Sequence, residues 1–427
     1  MLSQLNLSAI DRLIPRIATA VLMLAFARAS NPTVVGYYAA VMTGYVLLQS
    51  VTDGAAKRIA VSAVKSQAGR VFLTRYLWAY GIGGTFFILA TVGLVALWGA
   101  PLADLATFAP LVFVPIVMGR TITPLAILQL QNKWAQIAKA SAIASLAALA
   151  VSLPLTLALH NALGSTSQLL ITEAIFAVLV LRSAALVDIN NQRELETKSY
   201  LSEFIKAGLY ILGIQGQYQL DKLFIGLAAG PPGLGNYNLA WSLSRGFSDS
   251  FATGTLNVVQ ARLNRGTKDE VSNLNLVAKP AMQHSMVVSS GFVLAAYIIS
   301  RLFGIPLLGQ SWTTALGMVP LLALSAIPTA ASYILWPIAV MGRGSKAALS
   351  SRILGMSLSL VVGITAFFSL TTAAWIIVLR ELLTLAVIAV SARSLLRTAM
   401  LLTPFLTTLG MGILIEFMNL LFTAVGK

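Results

Sequence analysis

The stretch Gln217 to Asp249, QYQLDKLFIGLAAGPPGLGNYNLAWSLSRGFSD, carries ionisable residues inside otherwise apolar sequence. Asp221 and Lys222 precede a break at Gly230-Pro231-Pro232-Gly233, and Arg245 and Asp249 follow it. Charges at bilayer depth are costly, so by default they mark a polar cavity or pathway. Asn238, Ser242, Arg245, Asp249 and Thr253 recur at steps of 4, 3, 4 and 4, which places them on one helical face. Tyr45, Gln49, Asp53 and Lys57 form a second stripe at successive i,i+4 steps. A lipid-facing stripe of either kind would be strongly unfavourable, so both are expected to face protein or water. The chemistry they offer is charge-assisted hydrogen bonding of an anion, with Asp53 and Asp249 as candidates for ion coupling.

Arg245 and Asp249 also admit a plainer reading, an i,i+4 pair that neutralises itself. Ahead of the break, Gln215, Tyr218, Gln219 and Lys222 share one face, and Gln217 and Asp221 share another, roughly 100° around. The Gln219–Lys222 face is assigned to the cavity and Asp221 to a structural role between helices; the reverse assignment stays open. Arg120 lies mid-span between Pro115 and Pro124, which can kink a helix and release carbonyls. An arginine there suits an anion; the alternatives are snorkelling or a structural partner. Arg75, Glu173, Arg380, Glu381 and Glu416 carry no assignment. The chain has no cysteine, and its two histidines, His160 and His284, stand far apart without ligand spacing, so no metal site is expected.

The elements that position these residues follow from composition. The chain has 427 residues, 57% hydrophobic and only 10% charged, with a mean hydropathy of +0.83. Soluble domains average nearer ~25% charged, so this is a polytopic membrane protein of all-α class. A span needs about 20 apolar residues. Spans are expected near 9–28, 33–56, 72–99, 105–131, 135–159, 165–187, 201–229, 234–261, 279–304, 311–341, 345–370 and 372–392, with a further apolar run near 399–425. No cleavable leader is expected, because the first apolar run follows Asp11 and Arg12 and a second span lies close behind. The polar connector DINNQRELETKS divides an N-terminal lobe, 1–187, from a C-terminal lobe, 201–395, with 188–200 between them and 396–427 as an extra helix.

Net charge is +15, but the bases sit in short connections rather than in one patch, which excludes a nucleic-acid partner. Nineteen bases, from Lys57 to Arg397, fall in alternate connections, whereas the opposite ones hold only Arg28, Arg301 and the terminal Lys427. This asymmetry places the N-terminus and the basic connections in the cytoplasm. Gly36-Tyr37-Tyr38 and Gly235-Asn236-Tyr237 open corresponding spans of the two halves, and QLQNKWAQIAKASAI resembles AVMGRGSKAALSSRI at corresponding ends. The expectation is two six-helix lobes related by a pseudo-two-fold along the membrane normal, with a site between them.

The segments VVGYYAAVMTGYVLLQSVTDG and GLGNYNLAWSLSRGFSD, the Asp221-Lys222 pair and the two-lobed span count resemble the bacterial polysaccharide flippases. Those proteins belong to the multidrug/oligosaccharidyl-lipid/polysaccharide exporter superfamily. The resemblance covers nearly all of residues 1–395, and the thirteenth run departs from its twelve-span pattern. It implies twelve core helices, a cationic lumen and alternating access. It also implies a bacterial inner-membrane location and an undecaprenyl diphosphate-linked oligosaccharide of O-antigen or exopolysaccharide type as partner, beside membrane lipid and other polysaccharide assembly proteins. On that reading Arg16, Gln49, Arg120, Gln219, Lys222 and Arg245 bind substrate. Arg12 and Arg16 either meet the diphosphate headgroup or anchor the first span. No cofactor is expected beyond a proton or sodium gradient. A cation exporter of the same superfamily is the first alternative, but intramembrane bases here at least match acids. A membrane polymerase or glycosyltransferase is disfavoured, because the outer connections are short and Asp104 is their only carboxylate.

Overall fold

The computed structural model describes residues 2–64, 67–131, 133–184, 197–265, 274–343, 345–393, 396 and 398–425. The connector residues 188–196 lie outside them. Among the described residues every regular element is helical. The first half contains α1 (Leu2–Ala29), α2 (Pro32–Val51), a π-helical turn (Thr52–Ala56), α3 (Lys57–Ala63), α4 (Gln67–Leu97), α5 (Leu102–Ala106), α6 (Ala109–Leu130), α7 (Trp134–Leu159) and α8 (Leu163–Ala184). After α9 (Thr197–Arg265) come α10 (Leu274–Leu302), α11 (Gly304–Leu308), a 3-10 turn (Gln310–Trp312), α12 (Thr313–Leu324), α13 (Ala326–Arg343), α14 (Ser345–Phe368), α15 (Leu370–Ala392) and α16 (Thr398–Val425).

Ten helical stretches among the described residues are long and apolar enough to cross a membrane, including Thr398–Leu421 of the last helix. The remaining expected spans coincide with α1 and with the two parts of α9. The break in α9 is at Gly230, whose φ of 68° and ψ of −175° suit glycine alone. The prolines that follow push it to that extended ψ and remove two backbone donors. Gly233 closes the corner, since a Cβ there would lie 2.4 Å from the Ala229 Cβ. At other ends the chain uses ordinary caps. Asn31 Oδ1 accepts from the Val34 N–H at 3.0 Å ahead of α2, and Ser369 Oγ accepts from the Thr372 N–H at 3.3 Å ahead of α15.

Packing divides the chain into two compact units, 1–223 and 224–427, so the division runs through α9. In the first unit α7 packs on α1 and α8. The reason is visible along α7, where Ala140, Ala144, Ala148, Ser152 and Thr156 recur every four residues and are all buried. Small side chains at that spacing let helix backbones approach closely where lipid supplies no hydrophobic drive. Residues 197–223 join this unit through aromatics: Tyr200 stacks on Phe72 at 5.9 Å and Phe204 meets Tyr76 at 4.5 Å.

In the second unit, α12 and α13 form the centre. Met318 to Ala331 is buried at every position, as expected of a helical pair that is enclosed on all sides. Ala278, Met282 and Tyr297 of α10 and Leu385, Ile388 and Ala392 of α15 pack in the same core. Ser325 and Thr329 are polar residues inside this enclosed stretch, one helical turn apart.

Candidate functional site

Ser325 and Thr329 connect two ion pairs, one buried on both sides and one half-open at its carboxylate. Arg245, in the second part of α9, has no solvent exposure. Its Nε donates to Asp249 Oδ1 at 2.9 Å, its Nη2 lies 2.8 Å from the same oxygen, and its Nη1 donates to Ser325 Oγ at 2.7 Å. The guanidinium also lies over the Trp241 ring at 4.9 Å. Ser325 Oγ donates its own proton to the Leu322 carbonyl at 2.6 Å. On the far side, Thr329 Oγ1 donates to Glu381 Oε2 at 3.0 Å, and Arg380 Nη2 donates to Glu381 Oε1 at 2.9 Å. Arg380 Nη1 donates to Ser359 Oγ of α14 at 3.1 Å. A polar seam therefore joins α9, α13, α14 and α15 within the second unit. Buried charges persist only when paired and hydrogen-bonded, and both carboxylates here meet that condition.

The structure thus brings Arg245 and Asp249 together and gives them an interhelical partner that spacing alone does not reveal. Arg245 is enclosed, whereas the Asp249 side chain keeps 29% exposure. The pair therefore presents the carboxylate, held in one orientation by the guanidinium, rather than the guanidinium itself.

The other candidates lie in the first unit. Gln49 of α2 is half-buried and Arg16 of α1 is exposed. Asp53 lies in the π-helical turn, and its side chain is outside the described residues. That turn has a consequence for the second stripe. The Lys57 N–H bonds to the Thr52 carbonyl in an i→i+5 pattern, so the face from Tyr45 to Asp53 does not continue straight to Lys57. At the start of the turn α4 adds to the helix's own bonding: the Leu48 carbonyl, which takes the Thr52 N–H, also accepts from the Tyr80 hydroxyl at 3.1 Å, and that hydroxyl accepts from Thr52 Oγ1. Single π-turns of this kind frequently sit at functional positions.

Arg120 lies in α6 between Pro115 and Pro124, as expected, on an exposed face with Phe113 and Ile116. Its guanidinium lies 5.8 Å from the Trp78 ring centre. In α9, Gln217 and Asp221 are fully buried, whereas Tyr218 and Lys222 are half-buried. The Gln217–Asp221 face is thus the more enclosed, while the Lys222 face is only partly open. Gln219 is buried, and its Oε1 has no hydrogen-bond partner among the described residues.

Five residues escape a reading of the sequence. Arg380 and Glu381 are adjacent, and adjacent residues do not face alike, so nothing in their spacing announces a pair. Ser325 and Thr329 sit in a run that reads as plain apolar core. Arg352 counts among the cytoplasmic bases by sequence, yet its guanidinium lies over the Trp336 ring at 4.7 Å. The available signal is a base placed two turns inside an apolar span.

The family model for polysaccharide biosynthesis proteins matches residues 25–317. No curated protein sequence matches the chain. Among solved structures, the chain is similar to the lipid II flippase MurJ in an inward closed conformation, with 14% identity, a TM-score of 0.62, and 98% of this chain and 99% of that one covered. It is similar to a MATE transporter crystallised with MaL6, with 15% identity, a TM-score of 0.59, and 97% and 96% covered. It is also similar to a transporter of the MOP superfamily from Pyrococcus furiosus, with 15% identity, a TM-score of 0.57, and 97% and 95% covered. The chain belongs to the polysaccharide biosynthesis protein family and has the all-α, multi-span fold shared by MOP superfamily transporters.

Proposed function

We propose that the protein flips an undecaprenyl diphosphate-linked oligosaccharide across the bacterial inner membrane by alternating access, for surface polysaccharide of the O-antigen or exopolysaccharide type. The observation that carries this reading is the pairing of a polysaccharide-biosynthesis family match with an end-to-end fold likeness to a lipid II flippase. The physics supports it. A hydrated, anionic head cannot cross hydrocarbon unaided, because its charged and polar groups lose their water. Arginine, lysine and glutamine side chains replace that water with charge-assisted hydrogen bonds. Arg16, Gln49, Arg120, Gln219 and Lys222 are the proposed contacts. Arg245 belongs to the same set through Asp249, whose carboxylate it orients. Asp249 and Asp53 are proposed to couple a proton or sodium gradient. The N-terminus is cytoplasmic on this reading, and other polysaccharide assembly proteins are partners.

The likeness to MATE structures favours a second reading, export of a cationic drug coupled to an ion. Charge weighs against it, since from residue 271 onward the chain holds only two carboxylates, Glu381 and Glu416. Proteoliposomes of the full chain separate the two. Fluorescently tagged lipid-linked oligosaccharide should move to the far leaflet, as read by an impermeant quencher. Transport of a cationic dye with no movement of the lipid-linked oligosaccharide would overturn the flippase reading.

A further inference from the structure

Arg352 stands in the third turn of α14, ~10 Å along the helix from its start at Ser345. Its guanidinium lies over Trp336 of α13 at 4.7 Å, so it packs against that helix within the second unit. Its Nε is buried and has no hydrogen-bond partner among the described residues. Tyr333, three residues before Trp336 on α13, lies in electrostatic range of Arg352, Asp249, Arg245 and Glu381. Tyr333 thus stands between Arg352 and the two ion pairs, within range of Asp249, Arg245 and Glu381 as well.

Those two carboxylates are engaged elsewhere. Glu381 has one oxygen on Arg380 and the other on Thr329. Asp249 is held by two nitrogens of Arg245. Among the described residues Arg245 and Arg380 each have a carboxylate partner, and Arg352 has none. Nor can the chain nearby supply an acid, because residues 337–370 contain no Asp or Glu. A buried guanidinium nitrogen beside an aromatic face, with local carboxylates already paired, is arranged to receive an anion from outside the chain.

We propose that Arg352, stacked on Trp336 and flanked by Tyr333, forms a phosphate-binding subsite within the second unit. Planar guanidinium nitrogens match phosphate oxygens bidentately, and the indole fixes the plane in which they are presented. Where the phosphate is that of the transported lipid diphosphate, the subsite rests on the flippase reading above. Where it is that of a bilayer phospholipid, it does not.

The test uses the purified full chain in nanodiscs of neutral lipid, with undecaprenyl diphosphate, inorganic pyrophosphate and phosphatidylglycerol as separate probes. Binding to wild type, Arg352→Gln and Arg352→Lys is measured by titration, with far-UV circular dichroism and thermal midpoint as checks of folding. Arg352→Gln should weaken undecaprenyl diphosphate binding about tenfold, and pyrophosphate should compete. Arg352→Lys should fall between the two and remain folded if the glutamine variant does not, because it keeps charge but loses the planar stack. An equal loss for phosphatidylglycerol alone would support the subsite and assign its phosphate to bilayer lipid. Unchanged binding of all three probes by a folded Arg352→Gln or Arg352→Lys protein would overturn the subsite. Wild-type protein that binds phosphatidylglycerol through Arg352 but neither binds nor moves the diphosphate lipid would overturn the flippase reading while leaving the subsite standing.

Discussion

Arg245 Nη1 donates to Ser325 Oγ at 2.7 Å, so a guanidinium with no solvent exposure is anchored to a neighbouring helix as well as to Asp249 on its own. An i,i+4 pair that only neutralised itself would not need that third contact. Arg245→Ala is therefore expected to remove protein from the membrane as well as activity. Stranding this half-buried carboxylate costs at most roughly 3 kcal/mol, the low end of the range for a fully buried pair, because Asp249 is partly exposed. Ser325→Ala should cost about 1–2 kcal/mol by leaving a buried charged donor without its acceptor. Replacing both Arg245 and Asp249 with leucine should restore expression and thermal midpoint without restoring transport. Thermal unfolding in detergent checks this, and an Arg245→Ala protein that melts like wild type would remove the structural role.

Gly230 offers a backbone test. Its φ of 68° with ψ of −175° is a conformation that glycine alone adopts easily. Gly230→Ala should lower stability by roughly 1–3 kcal/mol or straighten the corner. The demand is confined to this one position, because Ala229 and Leu234 on either side of the corner are ordinary helical residues. A thermal midpoint together with spin-label distances between positions 223 and 241 would register either outcome. No change in both would mean that the corner tolerates a side chain.

Much of the fold is legible in the sequence because bilayer thickness imposes a length on every span, and the chain's apolar runs match that length. The Gly-Pro-Pro-Gly break is legible because φ, missing donors and the residue before proline are local properties. Register beyond the π-turn is not. An i,i+4 stripe assumes an unbroken α-helix, and the sequence from Thr52 to Ala56 carries no distinctive mark of the extra residue. The polar seam is hidden for a different reason. Arg380 and Glu381 acquire meaning only from Thr329 and Ser359, which lie on other helices and many residues away. Arg352 is masked by the positive-inside pattern, which explains a base near a helix start without asking where its guanidinium points.

Orientation can be checked directly, because the native chain has no cysteine. Single cysteines at Lys198, His160 and Pro232 should separate by side. Position 198 should react with an impermeant thiol reagent only after cells are opened, whereas positions 160 and 232 should react in intact cells. His160 is a favourable reporter, since it ends α7 in a left-handed turn with φ of 54° and is exposed. Labelling of position 198 from outside would reverse the assignment drawn from the basic connections.

Arg120 and Lys222 provide the sharpest test of a cationic transport path, because neither is fully enclosed. Arg120 is exposed on α6 and lies 5.8 Å from the Trp78 ring, while Lys222 is half-buried beside the enclosed Asp221. Loss of a side chain at a position that is not packed leaves no large cavity, so each alanine variant should reach the membrane at near wild-type level. Export should nonetheless fall at least tenfold, the scale of one lost charge-assisted contact of about 1.5–3 kcal/mol. Arg120→Lys should retain part of the activity if charge dominates, and little if planar geometry over Trp78 matters. Surface polysaccharide measured against membrane-protein level reads both quantities. If the Arg120→Ala and Lys222→Ala proteins export normally at normal abundance, these bases lie off the substrate's path and the cationic route must be sought around Arg352 instead.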